Sequence, residues 1–162
     1  MISIEKNTPD FLKVKWGASL EELIASDPNT INKNIEPGDY LSLVGLARIE
    51  NYRILDQFFE VNFMFDKVYK RLCRINIVKQ YSDYDSPGFP AISGAFQMIS
   101  MLLSSKYGHP EKDDVSSSLR SLDWKLKDVH IILSTLEIEG LMSQLTISYV
   151  ANSVFSDQTF GL

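Results

Sequence analysis

The chain holds few side chains able to make or break bonds: one thiol, Cys73, and two widely spaced histidines, His109 and His130. One cysteine cannot close an internal disulfide, and two separated histidines do not make a metal-ligand set. A Gly-rich phosphate loop, a G-x-S-x-G elbow, H-E-x-x-H and C-x-x-C are all missing from the sequence, and each would supply a nucleophile, metal or phosphate cradle at a defined spacing. His109 stands between Gly108 and Pro110 at a helix exit, where a solvated imidazole favours the helix C-terminal dipole. His130 alternates with Val129, Ile131 and Leu133. It is therefore expected on the outer face of a strand, and as a general base it would need an orienting carboxylate that sequence alone does not locate. Cys73 alternates with Ile75 and Ile77, so it is expected to be buried with them as an inert small hydrophobe. The expectation is a non-catalytic protein with no cofactor and no catalytic metal, carboxylate-only magnesium or calcium sites being left open.

Recognition chemistry is better represented. Tyr81-Ser82-Asp83-Tyr84-Asp85-Ser86-Pro87-Gly88-Phe89-Pro90 combines aromatics, carboxylates and prolines. Aromatics give large contact area at low entropy cost, proline limits the disorder lost on binding, and Asp pairs with basic groups. Tyr81, Asp83, Tyr84, Asp85 and Phe89 are candidate partner-binding residues. The same residues also suit a structural role, with Phe89 and one Tyr folded onto the sheet, Asp85 or Ser86 capping the helix, and Pro87 or Pro90 in its first turn. Glu111, Asp113 and Asp114 form a second, acidic candidate within the polar stretch Glu111–Ser121, expected as a solvated loop. A third is the outer sheet face, where Ile54, Phe58, Met64, Leu72 and Val78 are expected to point away from the core.

The elements that must position these residues follow from periodicity. Ser19-Leu20-Glu21-Glu22 is a capping box that starts a short helix, stopped by Asp27-Pro28-Asn29. Residues 40–51 are β-rich. Residues 53–65 alternate, with Leu55, Phe59, Val61, Phe63 and Phe65 on one face, and residues 69–79 follow after an Asp66-Lys67 turn. Ile92, Ala95, Phe96, Ile99, Leu102 and Leu103 recur at helical spacing, with Gly108 and Pro110 as the stop. Strands are then expected over 122–127, 129–138 and 141–150, the last two joined at Glu139-Gly140. Strands arriving in runs predict an α+β fold: an antiparallel sheet with helices packed on one face, read as one domain over 1–162. Its halves would be 13–80 and 90–150, each a helix plus three strands, followed by a tail 151–162 carrying Phe155, Phe160 and Leu162.

Two stretches carry a family resemblance. Trp16-Gly17-Ala18-Ser19-Leu20-Glu21-Glu22 resembles the helix entry, and Leu103-Ser104-Ser105-Lys106-Tyr107-Gly108-His109-Pro110 the L-x-x-K-Y-G-x-P helix exit, of small helix-plus-meander domains. Such domains are similar to the outer-membrane lipoprotein SmpA and to the β-lactamase inhibitor protein. The resemblance implies a domain that acts by binding other proteins. An export signal and a lipidation cysteine are missing from the first residues, so an envelope role is not implied.

Composition narrows the partners. The chain has 162 residues, 44% of them hydrophobic, and 16 basic against 21 acidic residues give −5. That balance argues against phosphate-driven nucleic-acid or anionic-membrane binding and favours a protein with a basic or neutral cleft. Met1–Asp10 has no basic and apolar leader pattern, and no apolar run approaches the ~20 residues of a spanning helix, so a cytoplasmic location is expected. The leading expectation is an inhibitor or immunity-type protein that occludes the active cleft of a toxin or enzyme. A structural or adaptor subunit and an enzyme with an unmarked site are the alternatives.

Overall fold

A computed structural model describes residues 9–82, 88–116, 119–138 and 142–152. The elements are α1 (Leu20–Ser26), β1 (Gly38–Tyr40), β2 (Leu43–Ile54), β3 (Gln57–Asp66), β4 (Leu72–Ser82), α2 (Gly88–Tyr107), β5 (Lys112–Val115), β6 (Leu119–Lys125), β7 (Val129–Ile138) and β8 (Met142–Ala151). The strands form one open antiparallel sheet in the order β1-β2-β3-β4-β8-β7-β6-β5, an α+β arrangement dominated by the sheet.

Both bonds of the capping box are present: the Glu22 N–H donates to Ser19 Oγ and the Ser19 N–H to Glu22 Oε1, each at 3.1 Å. With seven residues α1 is too short to hold itself by propensity; it is anchored by Leu23, fully buried in the main core. The 20-residue α2 packs against β4, β7 and β8 and buries Ile92, Ala95, Phe96, Ile99 and Leu103. Gly108 ends it at φ +89°, its N–H donating to the Ser104 carbonyl while its own carbonyl accepts the Trp124 indole N–H at 2.8 Å. Leu102, expected in the buried stripe, is 51% exposed beside Met98 and Met101. The helix contacts one sheet only, so its buried face is narrower than the apolar pattern suggests.

The sheet differs from the expected six strands in ways that have physical causes. Glu111–Ser121 is not a loop over its described length, because Lys112–Val115 pairs with Arg120–Asp123 as β5. Charged residues there hide the strand from a hydrophobicity reading and suit a sheet edge, where they discourage pairing with other chains. Three-residue β1 forms the other edge. The β2–β3 turn falls at Leu55-Asp56, with Leu55 exposed at φ +59° rather than on the inner face. A register shift between Ile49 and Tyr52 reverses the alternation in β2, so Tyr52 and Ile54 pack on the main core, contrary to the outward position expected of Ile54. A second reversal lies in β4, where Met64 pairs with Arg74 but Phe65 pairs with Leu72, leaving Cys73 in a bulge. Leu72, expected outside, is therefore fully buried in the main core. Cys73 leaves Ile75 and Ile77 and joins a small second cluster with Leu43, Met64 and Ala151, packed by Trp16.

The main core is one cluster that takes Phe59, Phe63 and Phe65 from β3, Ile75 and Ile77 from β4, Trp124 from β6, Ile131 and Leu133 from β7, Leu145, Ile147 and Tyr149 from β8, and the buried face of α2. Phe96, Ile99 and Leu103 of α2 belong to the same cluster as these strand residues.

Candidate functional site

Side chains on the face turned away from the main core can meet only if strand register aligns them. It does: Arg48 pairs with Asn62, Asn62 with Asn76, Asn76 with Ser148 and Ser148 with Ile132, one row across β2, β3, β4, β8 and β7. Side-chain hydrogen bonds hold it in two groups, one around Asn62 and one around Asn76. Arg48 Nε donates to Asn62 Oδ1 at 3.2 Å and lies 3.5 Å from Glu60 Oε1, while Asn62 Nδ2 donates to the same Glu60 oxygen at 3.1 Å. Ser148 Oγ donates to Asn76 Oδ1 at 2.9 Å. An open groove of about 530 Å³ lies over this row, with Tyr40, Gly45, Met64 and Arg74 also in its lining. Gly45 pairs with Met64, and a Cβ there would come within 3.3 Å of the Met64 sulfur, so the missing side chain keeps the groove open.

Arg74 sits in this groove between two neutral acceptors. Its Nε donates to Asn76 Oδ1 at 2.9 Å and Nη2 to Ser148 Oγ at 3.2 Å. Among the described residues no carboxylate lies within 4.0 Å of it. Burial lowers its pKa, and the nearby Tyr40 phenol and Cys73 thiol act in the opposite direction; a guanidinium remains charged at neutral pH regardless.

At one end of the groove two hairpin tips stand side by side. The β1–β2 tip presents Tyr40 and Leu41, the latter 83% exposed at φ +52°, a conformation that costs a bulky residue about 1–2 kcal/mol. The β3–β4 tip presents Val68 and Tyr69, the latter 67% exposed. Asp66, with no exposed surface, braces this tip: its carboxylate accepts the Tyr69 N–H at 2.6 Å and the Arg71 N–H at 2.9 Å. The Arg71 guanidinium stacks on the Tyr69 ring at 4.8 Å. The Lys67 N–H donates to the Ser42 carbonyl at 3.0 Å and Lys67 Nζ lies 3.6 Å from Asp39, locking the two tips together. Four large apolar side chains thus project from a braced backbone.

The residues singled out from sequence are placed as follows. Tyr81 is buried, and its hydroxyl donates to Gln57 Oε1; burial pushes its pKa up to about 12. Asp83, Tyr84 and Asp85 lie outside the described residues, and Phe89 falls in the first turn of α2 with its side chain outside them too. The Glu139-Gly140 turn and the tail with Phe155, Phe160 and Leu162 likewise lie outside. Glu111 is exposed; Asp113 and Asp114 are exposed on edge strand β5, where Asp113 lies 3.8 Å from Arg120 and Asp114 3.4 Å from Lys112. These acidic residues are separate from the groove lining. Phe58 is exposed and Val78 lines the groove, as expected of outward residues.

His130 does have a carboxylate partner, Asp123 Oδ2 at 3.0 Å, contributed by the neighbouring strand β6. No hydroxyl or thiol bonds to its imidazole among the described residues, so the pair ties β6 to β7. Cys73 donates weakly to the Met64 carbonyl, and burial, reinforced by the Asp66 charge, raises its pKa to about 12. At neutral pH it is a protonated, unreactive thiol. Sequence reasoning missed Arg48, Asn62, Arg74, Asn76, Asp66 and the two tips; the signal for Asp66 was present in Asp66-Lys67-Val68-Tyr69, an Asp able to accept amides of the turn that follows. Among the described residues no group of three or more His, Cys, Asp or Glu side chains could hold a metal ion, and no helix is long and apolar enough to cross a membrane. Comparison with protein-family models, curated proteins and solved structures finds no match to this chain.

Proposed function

We propose that this protein is a non-catalytic module that binds another protein and blocks it, in the manner of an inhibitor or immunity protein. The observation that carries this reading is the pair of tips with Tyr40, Leu41, Val68 and Tyr69 exposed on a braced backbone. Aromatic and aliphatic side chains held in place before binding lose little entropy on association, and such residues dominate interface energies. A solvent-facing leucine at positive φ lowers stability without a packing return, which fits a position kept for contact. The resemblance of the two helix boundaries to SmpA-like and β-lactamase-inhibitor-like binding domains supports the same reading. So does the topology, taken as two helix-plus-meander halves meeting at β4 and β8, with both helices on the core side and the opposite face left to a partner.

A photocrosslinking residue at Tyr69, used in the source cell, identifies the partner by mass spectrometry. Tyr40→Ala with Tyr69→Ala should then speed dissociation of the purified complex by about thirtyfold, equivalent to roughly 2 kcal/mol, with an unchanged melting temperature. Wild-type dissociation in a folded double variant would remove the tips from the interface. Faster dissociation of Tyr84→Ala instead would move the interface to the Tyr81–Pro90 segment.

A further inference from the structure

We infer that the groove receives a carboxylate, carried by an acidic side chain of the partner protein, on the guanidinium of Arg74. The inference rests on the protein-binding reading above and names the chemistry of one contact within it. Arg48, Arg71 and Arg120 each have a carboxylate within 4.0 Å. Arg74, less exposed to water than a surface arginine, has two neutral acceptors in their place. A partly buried charge without a counter-charge is unfavourable, and Asn76 and Ser148 fix the orientation of the guanidinium without neutralising it. Two of its five N–H donors are used, which leaves the terminal nitrogens for the bidentate geometry that a carboxylate matches. The groove is large enough for a side chain, Gly45 keeps it clear, and Tyr40 joins it to the proposed tip surface. Glu36, Asp39 and Glu60 also line it, so a singly charged carboxylate is favoured over a doubly charged phosphate by like-charge repulsion.

The test is titration of the full-length protein with the peptide Ac-Gly-Glu-Gly-amide, the matched Gln peptide and inorganic phosphate, following the arginine Nε–Hε resonances by NMR. The expected result is a saturable shift of the Arg74 signal with the Glu peptide at millimolar concentration, at least about tenfold weaker with the Gln peptide, in line with loss of a charge-assisted pair. Arg74→Gln should abolish saturable binding while leaving the melting temperature equal to or above wild type, and Arg74→Lys should retain only part of the affinity. No saturable Arg74 shift, equal binding of the Glu and Gln peptides, or binding of phosphate alone would overturn the inference. Specific peptide binding with no captured protein would sink the proposed function while this site stood; a partner captured at Tyr69 with no Arg74 response would sink this inference alone.

Discussion

Asp66→Asn is the sharpest perturbation of the tip architecture. The substitution keeps the side-chain shape but replaces one acceptor oxygen with an amide NH2, so either the Tyr69 or the Arg71 N–H, now bonded at 2.6 and 2.9 Å, faces another donor. A buried donor left without an acceptor costs about 1–3 kcal/mol, and the surviving bond loses its charge assistance, about another 1 kcal/mol. Arg71, 3.8 Å from the carboxylate, also loses that ion pair but keeps its stacking on the Tyr69 ring. A total near 3 kcal/mol lowers the melting temperature of a chain this size by roughly 6–12 °C. Calorimetry reads the global effect. Hydrogen exchange reads the local one: the Tyr69 and Arg71 amides should exchange faster than in wild type even when compared at equal distance below each protein's melting temperature. An unchanged melting temperature with unchanged protection of both amides would show that Asp66 does not brace the tip, and the preorganisation argument would fall with it.

The buried face of α2 gives a paired test: Ile99→Asp, at 2% exposure, should unfold the domain by placing an unpaired carboxylate in the core at a cost of several kcal/mol, whereas Leu102→Asp, one turn on at 51% exposure, should stay within about 0.5 kcal/mol of wild type. Equal effects on the two melting curves would refute the assigned helix face. Alkaline conditions should destabilise the protein. Burial raises Cys73 from 9.0 to about 12 and Tyr81 from 10.0 to about 12. Their protonated forms are thus favoured by folding, and the stability they contribute is present below pH 9 and lost as pH rises towards 12. Each group adds a slope of at most about 1.4 kcal/mol per pH unit. Urea unfolding at pH 7 to 11 should show the fall, with Cys73→Ala removing its earlier part; a flat profile in wild type would contradict the burial of both groups.

Local signals were read correctly where neighbours in sequence decide the structure. The Ser19–Glu22 cap, the Gly108 stop and the alternation of Phe59, Val61, Phe63 and Phe65 depend on three or four adjacent residues and survive folding unchanged. The inside–outside assignment failed where the alternation crosses a bulge. One inserted residue at Cys73 exchanges the faces of Leu72 and Cys73, and the shift between Ile49 and Tyr52 turns Ile54 inward. Period-two reasoning has no means of detecting an added residue. Edge strands β1 and β5 escaped notice because their residues are exposed and carry no burial pattern. The Arg48, Asn62, Asn76 and Ser148 row was illegible for a different reason. Each is an ordinary polar residue in its own strand, and only the pairing register brings them together.

The strand order also sets how the chain must fold. β1 to β4 and β5 to β8 each pair with their chain neighbours, so each run can zip locally, whereas the β4–β8 seam joins residues such as Gln80 and Gln144 or Arg74 and Ser148, 64 and 74 positions apart. Loop-closure entropy makes such contacts slow relative to hairpins. The β4–β8 seam is therefore the pairing in the sheet that closes the longest loop. Arg74, Asn76 and Ser148 meet across that seam, so the clamped guanidinium exists only in molecules that have completed it. A chain synthesised only as far as β4 lacks Ser148 and cannot hold Arg74 in place, so the proposed recognition through the groove would require the completed seam.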